Sequence, residues 1–175
     1  MLVYVDDILV VSATPRPVMK TLQKAYRLKD EPSQPTDYLG AKIKTWSIPN
    51  ETRTVWSMNR GQYLKEAVKN VEIELAKVNQ TLKGKPNTPM QPGYRPEVDI
   101  SSVLGSEQAN YYQSLIGILI WAVELGRIDI NIDVSPLSSH LAQPRIGHLE
   151  QALHVFSYLK HHMNSHVVFN LNYVM

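Results

Sequence analysis

Apolar residues first cluster as Leu2-Val3-Tyr4-Val5 and Ile8-Leu9-Val10-Val11, with Asp6-Asp7 between them. Val, Ile and Tyr favour strands and Asp suits tight turns, so the pattern predicts a hairpin of residues 2–5 and 8–11 with two adjacent carboxylates at its tip. After Ala13-Thr14-Pro15-Arg16-Pro17, whose prolines suit a first helical turn, Val18, Leu22, Ala25 and Tyr26 recur at helical spacing, predicting a helix that ends near Leu28. A polar loop runs from Lys29 to Pro35. Asp37-Tyr38-Leu39-Gly40-Ala41-Lys42-Ile43 reads as a strand with a glycine inside it, the mark of a bend or a close backbone approach. Residues 44–47 and 54–58 then predict a hairpin around Pro49-Asn50-Glu51, with Trp46 and Trp56 packed within it. Over residues 62–79, Tyr63, Leu64, Ala67, Val68, Val71, Leu75 and Val78 form one helical face, and charges of both signs form the other.

Residues 81–105 carry Gly84, Pro86, Pro89, Pro92, Gly93 and Pro96, a density that predicts an extended connection and a boundary. The chain thus divides into 1–80, a linker 81–105 and a helical segment 106–175, an α+β organisation. Ser106-Glu107-Gln108-Ala109 reads as the cap of a helix through Tyr112, Leu115, Ile116, Leu119, Ile120 and Val123. Gly117 inside it costs about 1 kcal/mol relative to alanine, which calls for close packing or for a ligand's approach. Pro136 is expected to break or delay a helix read over 130–141. A last helix opens at Pro144-Arg145-Ile146-Gly147-His148 and buries Leu149, Ala152, Leu153, Phe156 and Leu159. His161, His162 and His166 have no carboxylate among them, and Asn164-Ser165 interrupts their spacing, so they are not read as a metal site.

Composition adds boundaries. At 175 residues and 43% hydrophobic the chain can bury one good core, and a net charge of +2 makes any nucleic-acid surface a local one. Cysteine is absent, and no apolar run approaches the ~20 residues a membrane span needs. The start lacks a basic segment before its apolar run and is not read as a signal peptide. Two fixed carboxylates side by side need a cation or a proton, the requirement of a Mg²⁺ site for phosphoryl chemistry. Asp-Asp in a turn taken alone is more often simply solvated.

The flanks supply a resemblance. Tyr4-Val5-Asp6-Asp7 between apolar strands resembles the central box of reverse transcriptases, and Ile8-Leu9-Val10-Val11-Ser12 resembles its version in copia-type LTR retrotransposons. Tyr38-Leu39-Gly40 through Ile43 is similar to the family's primer grip. Tyr112-Gln113-Ser114-Leu115-Ile116-Gly117 resembles its thumb signature, and Arg127-Ile128-Asp129-Ile130 matches its Arg-Pro-Asp-Ile apart from the isoleucine. His148-Leu149-Glu150-Gln151-Ala152 resembles the start of the closing thumb helix. The matches cover nearly the whole chain in the right order. They imply a truncated polymerase palm followed by a helical thumb and connection, leading toward a ribonuclease H domain whose acidic residues are not in this sequence. They also imply transfer of a deoxynucleotide to a primer on an RNA–DNA template–primer, with Mg²⁺ as cofactor and an intracellular setting, cytoplasmic (in a virus-like particle) or nuclear.

By that resemblance Asp6 and Asp7 are the catalytic metal ligands, and Tyr4, Val5, Tyr38, Leu39 and Gly40 contact nucleotide or primer. Lys29 stands near a lysine that protonates pyrophosphate in many polymerases, or is an ordinary solvated lysine. Gly117 meets the primer backbone or serves helix packing. The family's third carboxylate and its fingers lie upstream of the box, so this chain is expected to need an upstream palm and fingers segment and not to polymerise DNA alone. Uncovered apolar faces of the 2–12 hairpin predict poor solubility. Ile128 and Pro136 are expected to strain the thumb. A remnant that is inert or weakly binds an RNA–DNA duplex is the alternative, and a mixed α/β interaction protein fits the composition but not the ordered matches.

Overall fold

The computed structural model describes residues 1–5, 7–47, 54–59, 61–165 and 167–169. They form two compact units, Met1–Asn59 with His166–Met175 and Arg60–Ser165. The boundary expected at residue 81 therefore falls at residue 60, because the helix after it buries its apolar face among the C-terminal helices.

In the first unit, β1 (Leu2–Tyr4) and β2 (Asp7–Leu9) pair antiparallel, with Leu2 opposite Leu9, Val3 opposite Ile8 and Tyr4 opposite Asp7. These strands are shorter than expected, and Asp7 opens β2 instead of standing in the turn. Among the described residues no third strand joins this pair, and Val3, Tyr4 and Val5 stay exposed. Helix α1 (Pro15–Ala25) starts at the predicted prolines but stops three residues early, where Tyr26 turns to extended backbone. It has no fully buried residue, and of its expected apolar face Leu22 is half-buried while Val18 and Tyr26 are exposed.

A four-stranded antiparallel sheet has the order β3 (Asp37–Tyr38), β4 (Ala41–Ser47), β5 (Thr54–Asn59), β6 (Val167–Phe169). Gly40 is not inside a strand. Leu39 and Gly40, both with left-handed backbone (φ 49° and 73°), form the two-residue loop between β3 and β4, the conformation such loops demand. The register sets Trp46 opposite Val55 and Trp56 opposite Thr45. Cross-strand partners share a face and neighbours along a strand alternate, so the two tryptophans lie on opposite faces and do not pack together. Ala41, Ile43, Trp56, Met58 and Phe169 share one face, while Lys42, Lys44, Trp46 and Ser57 share the other.

In the second unit, α2 (Gly61–Lys77) buries Leu64, Ala67, Val68, Val71 and Leu75 at the predicted spacing. It ends in a Schellman turn: Asn79 takes left-handed backbone (φ 56°), Gln80 N–H reaches Leu75 O and Asn79 N–H reaches Ala76 O. Val78, expected on the buried face, lies past the last turn and is exposed. Helix α3 (Ser106–Glu124) buries Tyr112, Leu115, Ile116, Leu119 and Ala122. Ser106 is its first helical residue, and Gly105 caps it without a side-chain bond. Helix α4 (Asn131–Ser138) contains Pro136 yet runs two residues beyond it, so the proline shortens the helix without breaking it. Helix α5 (Ile146–His161) contributes Ala152, Val155, Phe156 and Leu159 to a core shared with α2, α3 and α4. Each fully buried valine, leucine, isoleucine or phenylalanine among them adds about 1.5–3 kcal/mol of apolar burial.

The proline-rich stretch is not a free spacer. Side chains along α5 and just beyond it hold its backbone carbonyls: His148 on Pro96 O (3.0 Å), Gln151 on Pro89 O (3.0 Å), His154 on Thr88 O (3.1 Å) and His162 on Pro86 O (3.2 Å). Prolines leave carbonyls without the regular ladder, and α5 supplies the donors they lack. His161 bonds Ser157 O within its helix, and His166 lies outside the described residues. The loop before α4 is tied by Arg127, which is 3% exposed. Its guanidinium bonds Asp129 twice (2.8 and 2.7 Å) and His162 O once (2.9 Å), and Tyr158 OH donates to the same carboxylate at 3.1 Å. Ile128, where the resembling family has proline, is 72% exposed on the first residue of a 3₁₀ turn (Ile128–Ile130), so neither departure carries the strain expected of it.

Candidate functional site

The local sequence builds the candidate site from two hairpin tips. In the first, the register gives β1 and β2 a two-residue connection, Val5-Asp6. Val5 takes left-handed backbone (φ 53°) and is 87% exposed. A β-branched residue there is an outlier, and left-handed backbone costs an L-residue roughly 1–2 kcal/mol. Leu9, 6% exposed, anchors β2. Tyr4 and Asp7, being cross-strand partners, lie on one face. Asp6 lies outside the described residues.

The second tip is Leu39-Gly40. Beside it Asp37 pairs with Lys42 across the strands at 2.6 Å, and that hydrogen bond holds the Asp37 carboxyl below its ordinary range. The Tyr38 phenol is raised above its ordinary value, first by burial and then by the negative charge of Asp7. The structure places Tyr4, Val5 and Asp7 at the first tip and Tyr38, Leu39 and Gly40 at the second. Among the described residues three non-glycines have left-handed backbone, Val5, Leu39 and Asn79; the last is a helix cap and the other two are these tips.

Two predicted residues stand apart. Lys29 is exposed in the coil after α1 and does not line the adjacent cleft. Gly117 belongs to the second unit, is exposed, and would have nothing within 4 Å of an added Cβ, so helix packing does not require it.

Behind β2 opens a cleft of about 610 Å³ that sequence reasoning missed. Leu9, Met19, Ile43, Trp56 and Phe169 line it, with Arg16 and Gln34 at polar positions. Its walls come from five elements, β2, α1, β4, β5 and β6, and only the sheet register shows that Trp56 and Phe169 share its face. The Leu39-Gly40 turn was misread as strand, although a two-residue loop ending in glycine between strand-forming runs is a hairpin signal.

Among the described residues no three His, Asp or Glu side chains converge as a cation cage. Mg²⁺ does not require one, because it takes one or two carboxylates and completes its shell with phosphates and water. Asp7 is exposed at the start of a paired strand and no described cation is bonded to it, which fits that share.

The chain is 33% identical over 160 residues to a Saccharomyces cerevisiae protein assigned to transposon Ty5-1 (YCL074W), a match covering 90% of this chain and 47% of that protein. The chain is a homologue of a retrotransposon protein. It spans about half the length of that relative. No protein-family model matches the chain, and no solved structure matches it significantly. No helix among the described residues of this retrotransposon homologue is long and apolar enough to cross a membrane.

Proposed function

We propose that this retrotransposon homologue is the palm and thumb portion of a copia-type reverse transcriptase, with the two hairpin tips forming the side of the nucleotidyl-transfer site where carboxylates meet the primer end. The observation that carries this reading is the left-handed backbone at two hairpin tips, Val5 two residues before Asp7 and Leu39 directly after Tyr38, at the positions of the catalytic box and the primer grip. Strain of this kind persists where the surroundings over-determine it, and it gathers at working sites. Asp6 and Asp7 would hold Mg²⁺, which when bound supplies charge stabilisation to phosphoryl transfer. Tyr4, on the Asp7 face, supports the primer terminus or the nucleotide. The Leu39-Gly40 turn offers backbone with little side-chain bulk at Gly40, so a primer strand can rest against it. The roles of Lys29 as general acid and of Gly117 as thumb contact rest on the resemblance alone.

The test joins this chain to the palm and fingers segment encoded upstream in an intact element. Incorporation of labelled deoxynucleotide on poly(rA)/oligo(dT) with Mg²⁺ is the expected outcome, abolished by Asp6→Asn or Asp7→Asn. The chain alone should give none. Full incorporation by the joined Asp7→Asn protein would refute the assignment.

A further inference from the structure

The sheet face turned away from the cleft has a feature the site above does not use. Along β4, Lys42, Lys44 and Trp46 point to that face at alternate positions, opposite Asn59, Ser57 and Val55, so no carboxylate stands on their rungs across β5. Asp37, beside Lys42 on β3, is already paired with it, leaving the Lys42 side chain 64% exposed. Lys44 is exposed, and no ion pair joins it to another described residue. Trp46 is half-buried on the same face of β4, two residues beyond Lys44, while Ser57 opposite Lys44 is buried. Alternate residues on a strand stand about 6.6–6.8 Å apart, comparable to the step between phosphates of an extended single strand.

We propose that this face, Lys42-Lys44-Trp46, binds single-stranded nucleic acid, the lysines on successive phosphates and the indole under a base. Lysines spaced along a groove with an aromatic platform are the two parts of sequence-independent single-strand binding. The competing explanation is that lysines guard an edge strand, since β3 covers only the start of β4. A guard needs charge alone. It does not need a partly exposed tryptophan on the same face, where apolar exposure has a cost. The inference extends the polymerase reading to a second surface, away from the hairpin tips and toward a strand not yet paired. Binding is measured without nucleotide or Mg²⁺, so it can fail while incorporation succeeds, and the reverse.

The experiment is anisotropy of fluorescein-labelled oligo(dT) and oligo(U) titrated with the full chain over about 50–200 mM salt. Two phosphate contacts give a slope of log K against log salt of about −1.4, and Lys44→Ala should halve it. Trp46→Leu should weaken binding roughly 5- to 150-fold, whereas Trp46→Phe keeps most of the affinity. Circular dichroism of each variant establishes that the sheet remains folded. Lys65→Ala, an exposed lysine of α2 in the other unit, is the control and should leave the slope unchanged. No binding at the lowest salt, a Lys44→Ala slope equal to that of the parent, or binding of an acidic polypeptide as tight as that of oligo(dT) would each overturn the proposal.

Discussion

Replacing Arg127 with methionine tests the tie that fixes the loop between α3 and α4. The guanidinium is 3% exposed, whereas the Asp129 carboxylate it grips is 34% exposed. Removing one partner of a buried ion pair costs about 3–5 kcal/mol when the other is left without compensation. Here the stranded group is the more exposed one and keeps the Tyr158 hydroxyl, while methionine replaces part of the arginine stem. The expected loss is therefore at the low end, about 2–3 kcal/mol, or roughly 5–12 °C in melting temperature. Asp129→Asn should cost more, because it strands the deeply buried cation, and the double variant should cost less than the sum of the two. The pH dependence follows from sign. Burial raises the Asp129 pKa, but bonds from Arg127 and Tyr158 outweigh it and the net shift is downward. Its contribution is thus present above the unfolded carboxyl value near 3.9 and is lost as pH falls through the lower folded value. Urea unfolding at neutral pH and in steps below about pH 4 should show parent and Arg127→Met converging on acidification. A neutral-pH loss within about 0.5 kcal/mol, the range of surface substitutions, would refute the account of a buried tie.

Other expectations follow from the same geometry. A methyl added at Gly147 would run into the Asp99 carboxylate, which Tyr94 OH and Ser101 N–H hold at 2.7 Å each. Gly147→Ala should therefore cost about 2–4 kcal/mol by urea unfolding, and much less in an Asp99→Ala background. Ile128→Pro, at the exposed first residue of a 3₁₀ turn, should change stability by no more than about 1 kcal/mol in thermal melts. Val5→Gly relieves a left-handed valine and should stabilise the hairpin by up to about 1 kcal/mol, read from hydrogen exchange of β1 and β2. In the joined polymerase the same change should lower incorporation, and equal incorporation would separate the strain from the function proposed for it.

What the sequence discloses here depends on the range of the interaction that decides each feature. The amphipathic face of α2 needs only its own spacing, and Leu64, Ala67, Val68, Val71 and Leu75 are buried as their periodicity requires. The faces of Trp46 and Trp56 depend on where β4 and β5 align, and two strand-forming runs read alone cannot fix that register. Shifting it by one residue would turn every side chain over. The prolines of 81–105 correctly excluded regular structure, but donors from α5, 52–76 residues along the chain, hold that segment in place. Arg127 illustrates the limit from the opposite side. The sequence named it only as part of a family-like motif, and its burial against Asp129, Tyr158 and His162 O shows an architectural tie. The candidate site divides in the same way. The Asp6-Asp7 tip was visible as a turn and Tyr38-Leu39-Gly40 as a strand bent at its glycine, whereas the left-handed backbone of Val5 and Leu39 follows from the register of each hairpin. A valine in that backbone region is a conflict between local preference and the fold, and a conflict of this kind is what makes the Val5 substitution a test of the proposed site.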